Sequence, residues 1–160
     1  MIKDPLIQVM LIVRDLLNHP ENLIHKGRVN EVMALSSDDN IAVDALAPAQ
    51  PLTKSTAYDG VTEVMTYGQL YRLPVTIDFY GTNAHANANR FAVLATSHIS
   101  QDLQKIRGAR IGSVTGVTDV KALTGQQYIN RLQVELTIHY TQQVNVNVLR
   151  IDSVPIEVIT

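Results

Sequence analysis

From Tyr128 to Tyr140 the chain alternates without a break. Tyr128, Asn130, Leu132, Val134, Leu136, Ile138 and Tyr140 share one parity, and Ile129, Arg131, Gln133, Glu135, Thr137 and His139 the other. A period of two is the signature of a strand with one buried face, so the fold must contain a sheet. At about 3.4 Å per residue this strand reaches about 40 Å, longer than a small domain requires. Part of it is therefore expected to project beyond the core or to span a subunit boundary.

A second strand pairs naturally with it. Leu73, Val75, Ile77 and Phe79 alternate with Pro74, Thr76, Asp78 and Tyr80. Glu63 to Tyr71 reads as its first half or as a separate partner, with Gly68 marking a bend or bulge. After Gly81, Thr82 or Asn83 can cap a helix whose core face is Ala84, Ala88, Phe91, Ala95 and Ile99. Ile41 to Leu46 and Ile111 to Val120 add short strands, and Val144, Val146, Val148, Val154, Ile156 and Val158 read as returning strand material. Ala47 to Pro51 cannot be a central strand, because its prolines lack amide donors. Leu52 to Asp59 is polar and turn-rich and is expected to form a loop, mobile or ordered by a partner.

At the amino terminus Asp4 and Pro5 suit the cap and first turn of a helix, with Leu6, Val9, Met10, Val13, Leu16 and Leu17 on one face. Ile7, Leu11 and Ile12 spread the apolar surface beyond that face, so the helix must be covered on more than one side, by its own core or by another subunit. Arg14 and Asp15 interrupt the apolar run long before the roughly 20 residues that a bilayer demands, and no small-residue cleavage site follows. Neither a membrane span nor a signal peptide is expected.

The chain has 160 residues, the size of one domain, and we read 1–160 as a single unit. Its net charge of −2 offers no basic surface of the kind that neutralises phosphates, so nucleic acid is not an expected specific ligand. The absence of cysteine removes disulfides, thiolate metal sites and thiol nucleophiles. Among the five histidines no pair has metal-ligand helical spacing, and Asp38-Asp39-Asn40 lacks the spaced ligands of a calcium loop and reads as a solvated turn. The glycines from Gly108 to Gly116 match neither a dinucleotide nor a phosphate loop. No metal, cofactor or catalytic residue is assigned.

The segments IAVDALAPAQPL, VTIDFYGTNAHANANRFAVL, GVTDVKAL and QQYINRLQVELTIHYT, in that order behind an apolar helix, resemble the neck terminator or tail-completion proteins of tailed bacteriophages, over Ile41 to Thr141. The resemblance implies an α+β fold, a mixed or mainly antiparallel sheet flanked by helices, with the long strand or a hairpin as its extension. It implies a structural virion protein rather than an enzyme, assembled in the host cytoplasm and placed in the tail or neck. There it would form a homo-oligomeric ring, usually of six subunits, that ends tail-tube assembly. Its partners would be the tail tube protein, the head-tail connector or stopper protein and, in a contractile tail, the sheath, with genome DNA passing through the lumen without specific binding.

The family carries no catalytic residues to transfer. Contact candidates come from the chain itself: Leu11 and Ile12 on the extra face of the first helix, and Arg131, Gln133 and Glu135 on the polar parity of the long strand. Two other readings stay open: a neighbouring neck or baseplate adaptor, and a small α+β enzyme using Asp78, His98 and His139.

Overall fold

The computed structural model describes residues 4–27, 39–120, 122–124 and 127–148. In chain order these form α1 (Pro5–Leu17), a 3-10 turn (Glu21–Leu23), β1 (Ile24–Lys26), β2 (Ile41–Ala45), β3 (Gln50–Asp59), β4 (Val64–Tyr80), α2 (Ala84–Leu94), α3 (His98–Arg107), β5 (Ala109–Asp119), β6 (Ala122–Thr124), β7 (Gln127–Ile129) and β8 (Arg131–Asn147). The fold is α+β. A six-stranded sheet runs β1-β2-β4-β8-β5, with β3 following β2 along the same side of β4, and only the β1–β2 pair is parallel. β6 and β7 make a separate two-stranded ladder.

The two alternating segments are the centre of this sheet. β4 and β8 pair without a shift from Val64↔Asn147 to Tyr80↔Arg131, which sets Leu73, Val75, Ile77 and Phe79 opposite Ile138, Leu136, Val134 and Leu132. All eight are buried, and β2 adds Ile41 beside Phe79 and Val43 beside Ile77. The helices cover this face. α1 supplies Val9, Ile12, Val13, Leu16 and Leu17, and α2 supplies Ala84, Ala88 and Phe91, the last packed on Phe79 with ring centroids 6.0 Å apart. The alanines let α2 lie close to the sheet.

Asp4 caps α1 as its residue type predicts, accepting from the Leu6 amide at 2.9 Å, and Pro5 stands at the first helical position. The buried stripe of α1 is rotated from the expected one. Ile12 is 1% exposed and belongs to the core, whereas Ile7 points outward and Leu11 is half-buried. Ile12 is thus corrected from a subunit-contact candidate to a core residue, because the sheet and the neighbouring helices together wrap more of α1 than one helical face.

Several other expectations are corrected. The strand preceding β8 ends at Ile129, so the alternation from Tyr128 is broken at Asn130, but β8 then continues to Asn147. Val144 and Val146 therefore extend the long strand and do not return. Val154, Ile156 and Val158 lie outside the described residues. Gly68 is no bend or bulge, since the ladder passes through it unshifted. A Cβ there would meet Ser55 Oγ at 2.3 Å, so glycine allows β3 and β4 a close approach. Leu52 to Asp59 is not a loop but most of β3. Ile99 is half-exposed and belongs to α3, a helix for which no element was expected.

α3 has the signals of a helix. Ser97 accepts from the Ser100 amide, Lys105 and Arg107 occupy the last turn, and Gly108 closes it in the left-handed region at φ 71°. Buried Gln104 then joins α3 to the start of β5. Its amide donates to Ser100 Oγ at 2.8 Å, and its Oε1 accepts from the Ile111 amide at 2.9 Å.

Asp15 ties α1 to α3. It accepts from Arg107 Nη2 at 2.8 Å and from Arg14 Nε at 2.9 Å. Burial alone would raise its pKa, but the hydrogen bonds and charges of Arg107 and Arg14 outweigh that and hold it below its ordinary 3.8. A carboxylate depressed by folding contributes stability above its unfolded pKa, and that contribution is lost as the pH falls through the folded value. Asp15→Asn is therefore expected to lower Tm by about 2–4 °C at neutral pH, a loss of about 1 kcal/mol, with the difference from the parent shrinking as the pH falls below the ordinary 3.8 of the carboxyl. Thermal melts of both proteins from pH 7 to 2 check this; a difference that widens on acidification would refute it.

Candidate assembly interface

Past Leu73 the sheet runs beyond its buried core. β3, the first half of β4 (64–72) and the last part of β8 (141–147) continue as a three-stranded arm. Every residue of β3 is exposed, as are residues 143–147 of β8. A four-residue turn closes the arm's β3–β4 hairpin between Asp59 and Val64. Asp59 holds that turn, accepting from the Thr62 hydroxyl at 2.7 Å and from the Val61 amide at 2.9 Å, which keeps its carboxyl below the usual range. Val61 stands 93% exposed at the tip.

The two faces of the arm differ. On the side that continues the helix-covered face, the ladder aligns Tyr58, Met65 and Val146 across three strands, and Thr56, Tyr67 and Val144 in the next row. Tyr58, Tyr67, Val144 and Val146 are each about half exposed. Tyr71 and Tyr140 stack at 5.4 Å where this face meets the core. The opposite face carries Ser55, Ala57, Thr66, Gln143 and Asn145, with Thr66 Oγ1 donating to Asn145 at 3.0 Å. Sequence reasoning missed this surface because Leu52 to Asp59 was not recognised as strand. The weak alternation of Thr56 and Tyr58 against Ser55 and Ala57 was its only signal.

On the helix layer Val93 of α2 and Ile99 and Ile106 of α3 are also exposed, at 74%, 53% and 70%. Arg90 and Lys105 are exposed on the same helices.

The polar parity of β8 is largely engaged within the chain. Arg131 donates from Nε and Nη2 to the two carboxylate oxygens of Asp78, at 3.3 and 3.0 Å, and its guanidinium sits 5.8 Å from the Tyr80 ring centroid. Burial pulls the Arg131 pKa down, but the hydrogen bonds and charge of Asp78 more than reverse this. Gln133 donates to Thr76 Oγ1 at 2.7 Å. Glu135 exposes its side chain, while its backbone exchanges hydrogen bonds with the Thr115 hydroxyl at a bulge in β5. Asp78, expected on the open side of an amphipathic strand, is 1% exposed. Arg131→Met would leave that carboxylate buried without its cation. Because Arg131 is about a quarter exposed, the expected loss is about 1–3 kcal/mol, below that of a fully buried pair. A double-mutant cycle with Asp78→Asn should recover part of it, and an unchanged urea midpoint for Arg131→Met alone would contradict the pairing.

The acid-base candidates are not brought together. Asp78 lies opposite Gln133 and His139 opposite Arg72, a separation of about 20 Å at about 3.3 Å per residue, and His98 is on the helix layer. Asp39 is more than a solvated turn residue: it accepts from the amide and side chain of Asn83, both at 2.7 Å, at the start of α2. Asp38 lies outside the described residues. Among the described residues no three His, Asp or Glu side chains are grouped to hold a metal ion, and no helix is long and apolar enough to cross a membrane.

Residues 8–160 match the family model described as phage neck terminator protein. The chain belongs to that family. No curated protein matches it. As a phage neck terminator the chain has a structural role in the tail or neck of the virion. What a neck terminator needs is surface for neighbours, and this one exposes apolar side chains outside its core, in registered rows on the arm and at Val93, Ile99 and Ile106 on the helix layer.

Proposed function

We propose that this neck terminator assembles as a homo-oligomeric ring of six subunits at the head-proximal end of the tail, where it ends tail-tube growth and joins the tail to the head connector. The observation that carries this reading is the arm: three strands with an apolar face on which Tyr58, Tyr67, Val144 and Val146 stay about half exposed. Apolar side chains scattered singly are ordinary on a protein surface, but a registered row of them across three strands is a contact surface. The exposed Val93, Ile99 and Ile106 lie elsewhere on the molecule, on the helix layer. Unlike exposed apolar regions on one chain suit a head-to-tail interface, which closes into a ring when the rotation between copies allows it.

The remaining roles arise from the same assembly. The tail tube protein and the connector or stopper protein contact opposite ends of the ring, and in a contractile tail the sheath contacts its outside. DNA passes through the lumen without specific binding, in keeping with a net charge of −2. Leu11 and Glu135 remain available as subunit contacts, together with the exposed parts of Arg131 and Gln133.

Native mass measurement and negative-stain imaging test this reading, first on the protein alone and then with tail tubes. The expected result is a ring, or a monomer that becomes a ring on one end of each tube. A protein that stays monomeric and leaves both tube ends bare would overturn it.

A further inference from the structure

The arm carries two open strand edges, and they face in opposite directions. β3 pairs with β4 on one side, and among the described residues nothing pairs with its other side. β5 pairs with β8 only from Leu132 to Tyr140, so among the described residues the outer edge of Thr141 to Asn147 has no ladder partner. This second edge opens onto a cleft of about 540 Å3 that includes Gln8, Lys105, Arg107, Thr141, Gln143 and Asn145. Folded proteins usually blunt such edges with lysine, proline, bulges or very short strands. Thr141 to Asn147 reads TQQVNVN, with neither a charge nor a proline, whereas β3 carries Pro51, Lys54 and a register shift between them in its first half and is bare from Ser55 to Tyr58.

Resting on the ring reading above, we infer that the partner at each edge is a second copy of this chain: the β3 edge of one subunit pairs with the Thr141–Asn147 edge of the next. β3 and β8 are both antiparallel to β4, so they run in the same direction. The junction between copies is therefore a parallel ladder, and every copy in the series has the same orientation. The two edges are different surfaces, so the contact is head-to-tail and leaves no edge bare once the ring closes. The register also extends the apolar rows. With the arms side by side, Val144 and Val146 of one copy lie next to Thr56 and Tyr58 of another, and the band begun by Met65 and Tyr67 becomes continuous across subunits.

The chain has no native cysteine, so engineered pairs report the contact directly. Ala57→Cys is combined in turn with Gln143→Cys, Asn145→Cys and Asn147→Cys, all on the polar face of the arm, to sample the register. Within one chain these positions are separated by β4, about 10 Å at two strand spacings, which is too far for a disulfide. A disulfide between them must join two chains. Oxidation of the assembled protein is expected to give, for the pair in register, a ladder of covalent oligomers that stops at the subunit number of the ring, while each single-cysteine variant gives no species beyond a dimer. A ring of normal mass with no ladder from any pair would overturn the edge pairing and leave the ring reading standing. A failure to form any ring, with or without tubes, would overturn both. A monomeric disulfide between Asn145→Cys and Ile156→Cys would give the β8 edge to the chain's own carboxyl-terminal segment, and would likewise overturn the inference.

Discussion

Replacing both Val144 and Val146 by glutamate is expected to leave the monomer folded and to abolish assembly. The two side chains are about half exposed at the outer strand of the arm, away from the core, so each substitution forfeits little burial. Like charges two residues apart on one strand face add at most about 1 kcal/mol of strain, a Tm shift of about 2–4 °C. In an assembled ring the same carboxylates would have to be buried against a neighbour. Burying an unpaired charge costs several kcal/mol, and repetition at every subunit contact multiplies the penalty around the ring. Ring formation should therefore require at least a hundredfold more protein, or fail entirely. Circular dichroism melts report the fold, and native mass with tail-tube capping reports assembly. A variant that melts like the parent and still forms rings of normal mass would remove the arm from the interface.

Phe79→Ala is expected to be among the most damaging single truncations. Phe79 is fully buried, lies between Ile41 and Leu132 in the sheet register, and packs on Phe91 of α2. Truncation removes the ring's transfer free energy and leaves a cavity beneath α2, for a loss of about 3–5 kcal/mol. Against a typical total of about 5–15 kcal/mol this is a large fraction, and Tm should fall by about 6–20 °C. Urea unfolding followed by far-UV circular dichroism measures it. Phe79→Leu, which refills much of the space, should lose less than half as much. A loss below about 1 kcal/mol for the alanine variant would show that α2 does not rest on the sheet at this point.

The parts of the fold legible in the sequence are those where one side of an element is buried and the other is not. β8 and the second half of β4 announce themselves because Leu132, Val134, Leu136 and Ile138, like Leu73, Val75, Ile77 and Phe79, contrast with polar neighbours at every second position. The cap and first turn of α1 are legible because Asp4 and Pro5 act on adjacent backbone. β3 was not legible, since both of its faces lie outside the core and its residues show little contrast to read. α3 is short and mostly polar, and its cap, basic last turn and closing glycine form a pattern that hydrophobic periodicity does not weigh.

The candidate interface divides in the same way. That β8 is too long for its core could be argued from the alternation alone, and that excess is what becomes the arm. Which residues face a neighbour could not. Ile12 is absorbed by the core because of how the sheet and helices surround α1, and Arg131 is largely engaged because Asp78 sits diagonally opposite it on another strand.

The sequence by itself determined the α+β class, the family, the central strand pair and the presence of surplus strand, since each depends on residue type and spacing along the chain. Only the tertiary structure decided that the surplus is a three-stranded arm with one apolar face and, among the described residues, two open edges. Strand neighbours and edge exposure depend on pairings between segments tens of residues apart, and those pairings leave no local period in the chain.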